Sequence, residues 1–205
     1  MAGLTGKSFN ELKANYQMAY FELSKIASAV ENSEALCGDT KIVTIDGPAG
    51  SGKTTLANEL AAQFSKTLGE VCVIHLDEIY EGWGGALDAK LFERIDAWIL
   101  TPIRHGLNPR HLKFDWHENK YTSWNELPLT PLVIIEGVGS GHSDLRKYVS
   151  QAIWVEADES LLLDRVIERD GEIVRDEMMI WKARERTYFE MHNVKRSSHI
   201  HMQGQ

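Results

Sequence analysis

Apolar residues recur along this chain in two alternating rhythms. Short, almost unbroken apolar runs appear as KIVTID (41–46), VCVIHL (71–76), PLVIIEG (131–137) and QAIWVEA (151–157). They are rich in β-branched residues and predict strands buried on both faces. Between them the spacing changes to threes and fours, which predicts helices. One runs from Thr54 to about Ser65 with Leu56, Leu60, Ala61 and Phe64 on one side. A second runs from Asp88 to Leu100 with Leu91, Ile95, Trp98 and Ile99 on one face, stopped by Pro102. Two more cover about Glu159–Arg169 and Glu177–Met191. SHIHM (198–202) alternates as a fifth strand would, EGWGG (81–85) reads as a loop, and the aromatic stretch 101–130 shows no regular rhythm.

Ahead of the first strand, Leu12, Tyr16, Ala19, Leu23, Ile26 and Val30 make one helical stripe from Phe9 to about Asn32. Such a helix either lies across its own domain or pairs two chains in a homo-oligomer. Strands alternating with helices predict an α/β fold: a parallel, about five-stranded sheet in three layers, with helices on both faces. Right-handed crossovers and a ligand site at the carboxyl ends of the strands follow from that architecture. The expected division is an N-terminal helical extension over 1–40 and one domain over 41–205.

Composition narrows the choice of partner. Lys plus Arg number 22 against 30 acids, a net charge of −8, which argues against a surface for nucleic acid or an anionic membrane. No apolar run reaches the ~20 residues of a membrane span, and no signal peptide is visible, so a reduced, cytoplasmic setting is expected. Cys37 and Cys72 lie far apart outside any metal-binding spacing, and Cys72 reads as a buried thiol.

The sharpest motif is Gly47-Pro48-Ala49-Gly50-Ser51-Gly52-Lys53-Thr54-Thr55, between a strand and a helix. It fits G-x-x-x-x-G-K-[ST], a loop whose glycines let backbone N–H groups turn inward on phosphate oxygens. The helix that follows adds the positive end of its dipole. Lys53 is placed to reach the β- and γ-phosphates of ATP, and the Thr54 hydroxyl to hold Mg2+.

Other residues indicate where the phosphoryl group goes. No guanine-reading N-K-x-D and no transporter L-S-G-G-Q occurs in the sequence, so a small-molecule kinase leads. Such a reaction needs a proton acceptor, a metal holder and positive charge around the moving phosphoryl. Asp77 closes the second strand and suits the base or a metal-linked acid. Glu136 closes the third and suits the second metal-linked acid. Arg165 and Arg169 share a helix face and can form a closing lid, whereas Lys182, Arg184 and Arg186 read as surface.

Taken in order, GPAGSGKTT, HLDEIYEGW, LVIIEGVGSG and DRVIERDGE resemble the uridine kinase-like P-loop kinases, over roughly Lys41 to His192. The resemblance implies the P-loop kinase sheet, with Asp77 as catalytic base, Tyr80 lining the acceptor pocket, Glu136 after the third core strand, and Arg165 and Arg169 as lid arginines. Where that family commonly has Phe-Asp-His-Pro, this chain has Phe114, Asp115, Trp116 and His117. Tyr80, Trp83, Phe114, Trp116 and Tyr121 offer rings that stack on a planar base. The leading expectation is an ATP- and Mg2+-dependent kinase of a nucleoside-like hydroxyl acceptor. Two alternatives stay open: a nucleotide-binding regulatory module that uses the N-terminal helix as its partner surface, and a nucleoside monophosphate kinase using Arg104 and Arg110.

Overall fold

The computed structural model describes residues 22–204. Helix α1 occupies residues 22–31, so the part of the N-terminal stripe carried by Leu12, Tyr16 and Ala19 lies outside the described residues. Five strands form one parallel sheet: β1 (Lys41–Asp46), β2 (Cys72–His75), β5 (Leu132–Glu136), β6 (Gln151–Glu156) and β7 (Ile200–Gln203), in the order β2-β5-β1-β6-β7. All five coincide with strands read from the apolar runs, including the last.

Alternation along each strand sends side chains to two cores. Ile42, Ile74, Val133, Ile135 and Trp154 face one way; Val43, Ile45, Leu132, Ile134, Ile153 and Val155 face the other. The second core is closed by α2 (Lys53–Leu68) through Leu56, Leu60 and Phe64, and by α1 through Ile26, Ala27 and Val30, all buried. Lys41 ties α1 down by donating to the Val30 and Glu31 carbonyls. The first core is closed by α6 (Glu159–Asp170), α7 (Arg175–Met191) and a composite helix over 89–104. Both cysteines are buried, and burial pushes the Cys72 thiol up to about 12.

The composite helix departs from expectation. It begins as α4 (Ala89–Arg94), widens into a π segment (Ile95–Leu100) and continues as α5 (Thr101–Arg104), straight through Pro102. Among its buried residues, which also include Phe92 and Leu100, Leu91, Ile95, Ile99 and Ile103 form one row spaced by fours. On an ordinary α-helix each such step drifts by about 40°, and the wider turn cancels the drift. It also shifts the bonding, with Thr101 donating its N–H to Asp96 O, so the proline ring is spared the carbonyl it would otherwise strike. Trp98 is left off the buried face and packs edge-on against Trp124 and Tyr121.

The stretch without rhythm also has structure. Arg110–Asp115 (β3) and Lys120–Glu126 (β4) pair as an antiparallel hairpin apart from the main sheet, and EGWGG contains a short helix, α3 (Gly82–Gly85). A four-residue helix, α8 (Val194–Ser197), precedes β7. Among the described residues no helix is long and apolar enough to cross a membrane.

Candidate active site

The carboxyl ends of β1, β5 and β2 lie side by side, with Ile45 opposite Glu136 and His75 opposite Glu136. The phosphate loop leaves this edge. Gly47 (φ 148°) and Gly50 (φ 79°) press their backbones onto neighbouring strand and helix ends. A Cβ at Gly47 would stand 1.9 Å from Val155 O, and one at Gly50 2.4 Å from Leu162 O, so both places require glycine. The loop opens α2 at Gly52, which has no side chain to cap the helix. The N–H groups of Lys53, Thr54 and Thr55 therefore head the helix without helical carbonyl partners, a ready seat for an anion.

Lys53 is buried under the loop and donates to Gly47 O at 2.9 Å and Pro48 O at 2.8 Å. Burial pushes its ammonium below the ordinary value, while Glu136, Asp46 and Glu185 hold the proton on. The Ser51 hydroxyl is buried with no hydrogen-bond partner. Uncapped amides, a buried ammonium and an orphaned hydroxyl around one curl of backbone fit the polyphosphate of ATP. Thr54 Oγ1 donates to Glu136 Oε1 at 3.0 Å, and His75 Nδ1 meets the same oxygen at 2.6 Å. That bond, ahead of the other influences, raises the His75 pKa. A hydroxyl and a buried carboxylate on the phosphate side fit Mg2+, whose remaining ligands in such sites are phosphate oxygens and water.

Asp77 lies two residues past β2, in the 3-10 turn Leu76–Glu78. Asp77 is exposed to solvent at the edge of a cleft it shares with Glu136; partial desolvation there, and next the charge of Glu136, raise its carboxyl above the ordinary range. Arg169 bears on this cleft from α6: its charge is felt by Lys53, Asp77 and Glu136, although its guanidinium pairs with Asp170 at 2.6–2.7 Å. Arg165 touches the loop itself, its Nη1 3.4 Å from Gly50 O.

The aromatic residues form a wall beside Asp77. Trp83 meets Trp116 at 5.3 Å, Phe114 meets Trp116 at 5.6 Å and Tyr121 at 5.3 Å, all edge to face. Trp116 is the exposed member, and its indole N–H donates to Asp77 O at 3.0 Å. Tyr121 donates to Ile79 O at 2.7 Å, so the hairpin is moored to the backbone that carries Asp77. Tyr80 is buried, with its hydroxyl given to Val138 O. Asp115 faces its own turn, accepting from the N–H groups of His117 and Glu118 at 2.9 Å.

Arg104 and Arg110 stand elsewhere. Arg104 lies over Tyr148 and against Asp96, near Gly38 and the amino ends of the strands; Arg110 lies over Trp124 at the far end of the hairpin. They give the monophosphate-kinase reading no support. Arg184, read as surface, is half-buried and donates to the carbonyls of Trp83, Gly84 and Ala86, fastening the short α3 helix.

Three residues of the site escaped sequence reasoning: Asp46, His75 and Glu185. The first two carried a signal, since each ends an apolar strand as Glu136 does. Asp46 Oδ2 accepts from the N–H groups of Gly139 and Gly141 and from the Tyr188 hydroxyl, and Oδ1 from Gly47 N. Glu185 accepts from Ala49 N at 3.0 Å; its signal was faint, an acid placed between Trp181 and Tyr188 on one helix face.

Comparison with solved structures matches this arrangement of strands, loop and helices. A possible uridine kinase from Bacillus stearothermophilus superposes with a TM-score of 0.64 at 18% identity, covering 90% of this chain and 99% of that one. A candidate fructose transport system kinase from Silicibacter sp. TM1040 superposes with a TM-score of 0.58 at 19% identity, covering 87% and 98%. No protein-family model and no curated protein sequence matches the chain. The fold is the α/β P-loop kinase fold of those structures.

Proposed function

We propose that this protein is an ATP- and Mg2+-dependent kinase that phosphorylates a hydroxyl group of a small molecule, with a nucleoside as the leading acceptor. One observation carries the reading: a phosphate-binding loop and the acids Glu136 and Asp77 share one edge, joined through the Thr54–Glu136 hydrogen bond. A phosphate grip alone would serve many nucleotide-binding proteins; acids beside it make a transfer site.

ATP brings the phosphoryl group and Mg2+ the charge that neutralises it. Lys53 and the loop amides hold the phosphates, and Thr54 with Glu136 holds the metal's side of the site. Asp77 accepts the proton of the acceptor hydroxyl; in its cleft the raised pKa makes it a better base than an ordinary carboxylate. Arg165 and Arg169 close over the transferring group and spread its charge. The exposed Trp116 indole, beside Asp77, supports a planar acceptor.

The test is acceptor-dependent ADP release across nucleosides, pantothenate and sugar phosphates. Asp77→Asn is expected to lower kcat by about 10²–10⁴-fold while ATP binding persists. Full activity in that variant would overturn Asp77's role; ATP binding with no acceptor response from the unaltered chain would overturn the kinase reading.

A further inference from the structure

The inner face of α7 presents Trp181, Glu185 and Tyr188 to the site. Trp181 packs on Tyr80 and Trp83, and Tyr188 donates to Asp46 at 3.1 Å. Between them Glu185, 4% exposed, accepts the Ala49 N–H inside the phosphate loop. A carboxylate on such an amide is an internal anion in the place of an external one, because the loop's N–H groups exist to receive phosphate oxygens. The charged groups facing it are Lys53 from α2, which attracts it, and Asp46 at the end of β1, which repels it; Tyr80 is the other ionisable group nearby. Two anions brought together in so dry a place repel strongly, and protonating one relieves them.

We propose that Glu185 is a proton-coupled member of the nucleotide site: as a carboxylate it holds the Ala49 amide when no phosphate is bound, and it takes up a proton from solvent as a nucleoside triphosphate enters. This rests on the reading of the loop as an ATP site. The group is poised for the exchange. Burial raises its carboxyl to about 7, with the Ala49 amide and then Lys53 pulling the other way, so protonation near neutral pH costs little. Above that value each bound triphosphate must bring its proton along, and affinity falls as pH rises.

Titration calorimetry with ATP and saturating Mg2+ at pH 8, in buffers of differing ionisation enthalpy, counts the protons directly. The unaltered protein is expected to take up close to one proton per ATP, and Glu185→Gln nearly one fewer. From pH 6 to pH 8 the Kd of the unaltered protein should rise about tenfold more than that of Glu185→Gln. The nucleotide's own titration is common to both and cancels. ATP binding by the unaltered protein without proton uptake overturns the proposal, and needs no variant to fold. Unchanged uptake in Glu185→Gln also overturns it. Absence of ATP binding by the unaltered protein overturns the nucleotide site itself, and with it the role of Glu185.

Discussion

At Asp46 a carboxylate almost sealed from water accepts from three backbone amides and one tyrosine hydroxyl. Desolvation still outweighs these bonds and raises it to about 6, as it raises Glu185 to about 7. Both values lie above those of the unfolded chain, so the native state binds the extra protons. The stability they contribute is full below about pH 4 and is lost as pH rises through about 6 to 7. Glu185→Gln removes one of the two groups and can still accept from Ala49. In thermal unfolding without nucleotide, it should exceed the parent at pH 8 by up to about 3 kcal/mol and converge with it by about pH 4. A gap that stays constant with pH would show that Glu185 titrates in the native loop as it does in the unfolded chain. In its proposed role as base, Asp77 has the opposite functional sense: a base must be unprotonated, so turnover should fall as pH drops through a pKa above the usual carboxylate range, and a pH–rate profile locates that limb.

Among the elements, the β3–β4 hairpin joins the aromatic wall beside Asp77 to the sheet. It has no core of its own, and its hold on the 77–79 backbone comes from Trp116 and Tyr121. Tyr121→Phe deletes one anchor without deleting a ring. It should cost about 1 kcal/mol in urea unfolding and raise the acceptor KM more than the Kd for ATP. The same hairpin shows why sequence patterning found the sheet but missed this element. Strands such as Leu132–Glu136 are buried along their whole length and read as apolar runs, whereas Lys120–Glu126 is mostly exposed and reads as polar. Its order comes from edge-to-face rings, two hydrogen bonds to distant backbone and the Lys113–Glu78 ion pair, which no local rhythm encodes. Arg184 reads as surface for a related reason: its carbonyl partners lie about a hundred residues earlier in the chain.

For the whole molecule, the two faces of the sheet carry different duties. One faces α1 and α2 and is closed by aliphatic packing; the other faces α6, α7 and the composite helix and carries the buried polar contacts to the loop. Ile26 is 1% exposed in the aliphatic core, so Ile26→Ala should lower stability by about 2–5 kcal/mol, measured by denaturant unfolding. A loss under about 0.5 kcal/mol would mean that α1 is not integral to that core. The phosphate loop and its acids were legible because the chemistry of one strand end is written in consecutive residues. Glu185 was not, since its partner Ala49 is 136 residues away.

The widened turn at Ile95–Leu100 and the proline after it constrain each other's ancestry. Removing one residue from the segment, such as Ala97, would restore an ordinary helix with the flanking faces still in phase, but would drive the Pro102 ring into a carbonyl. Replacing Pro102 alone leaves the wide turn in place. The deletion should therefore be harmful on its own and far milder beside Pro102→Ala. Of the routes between the two states, the one that loses the proline first is the passable one.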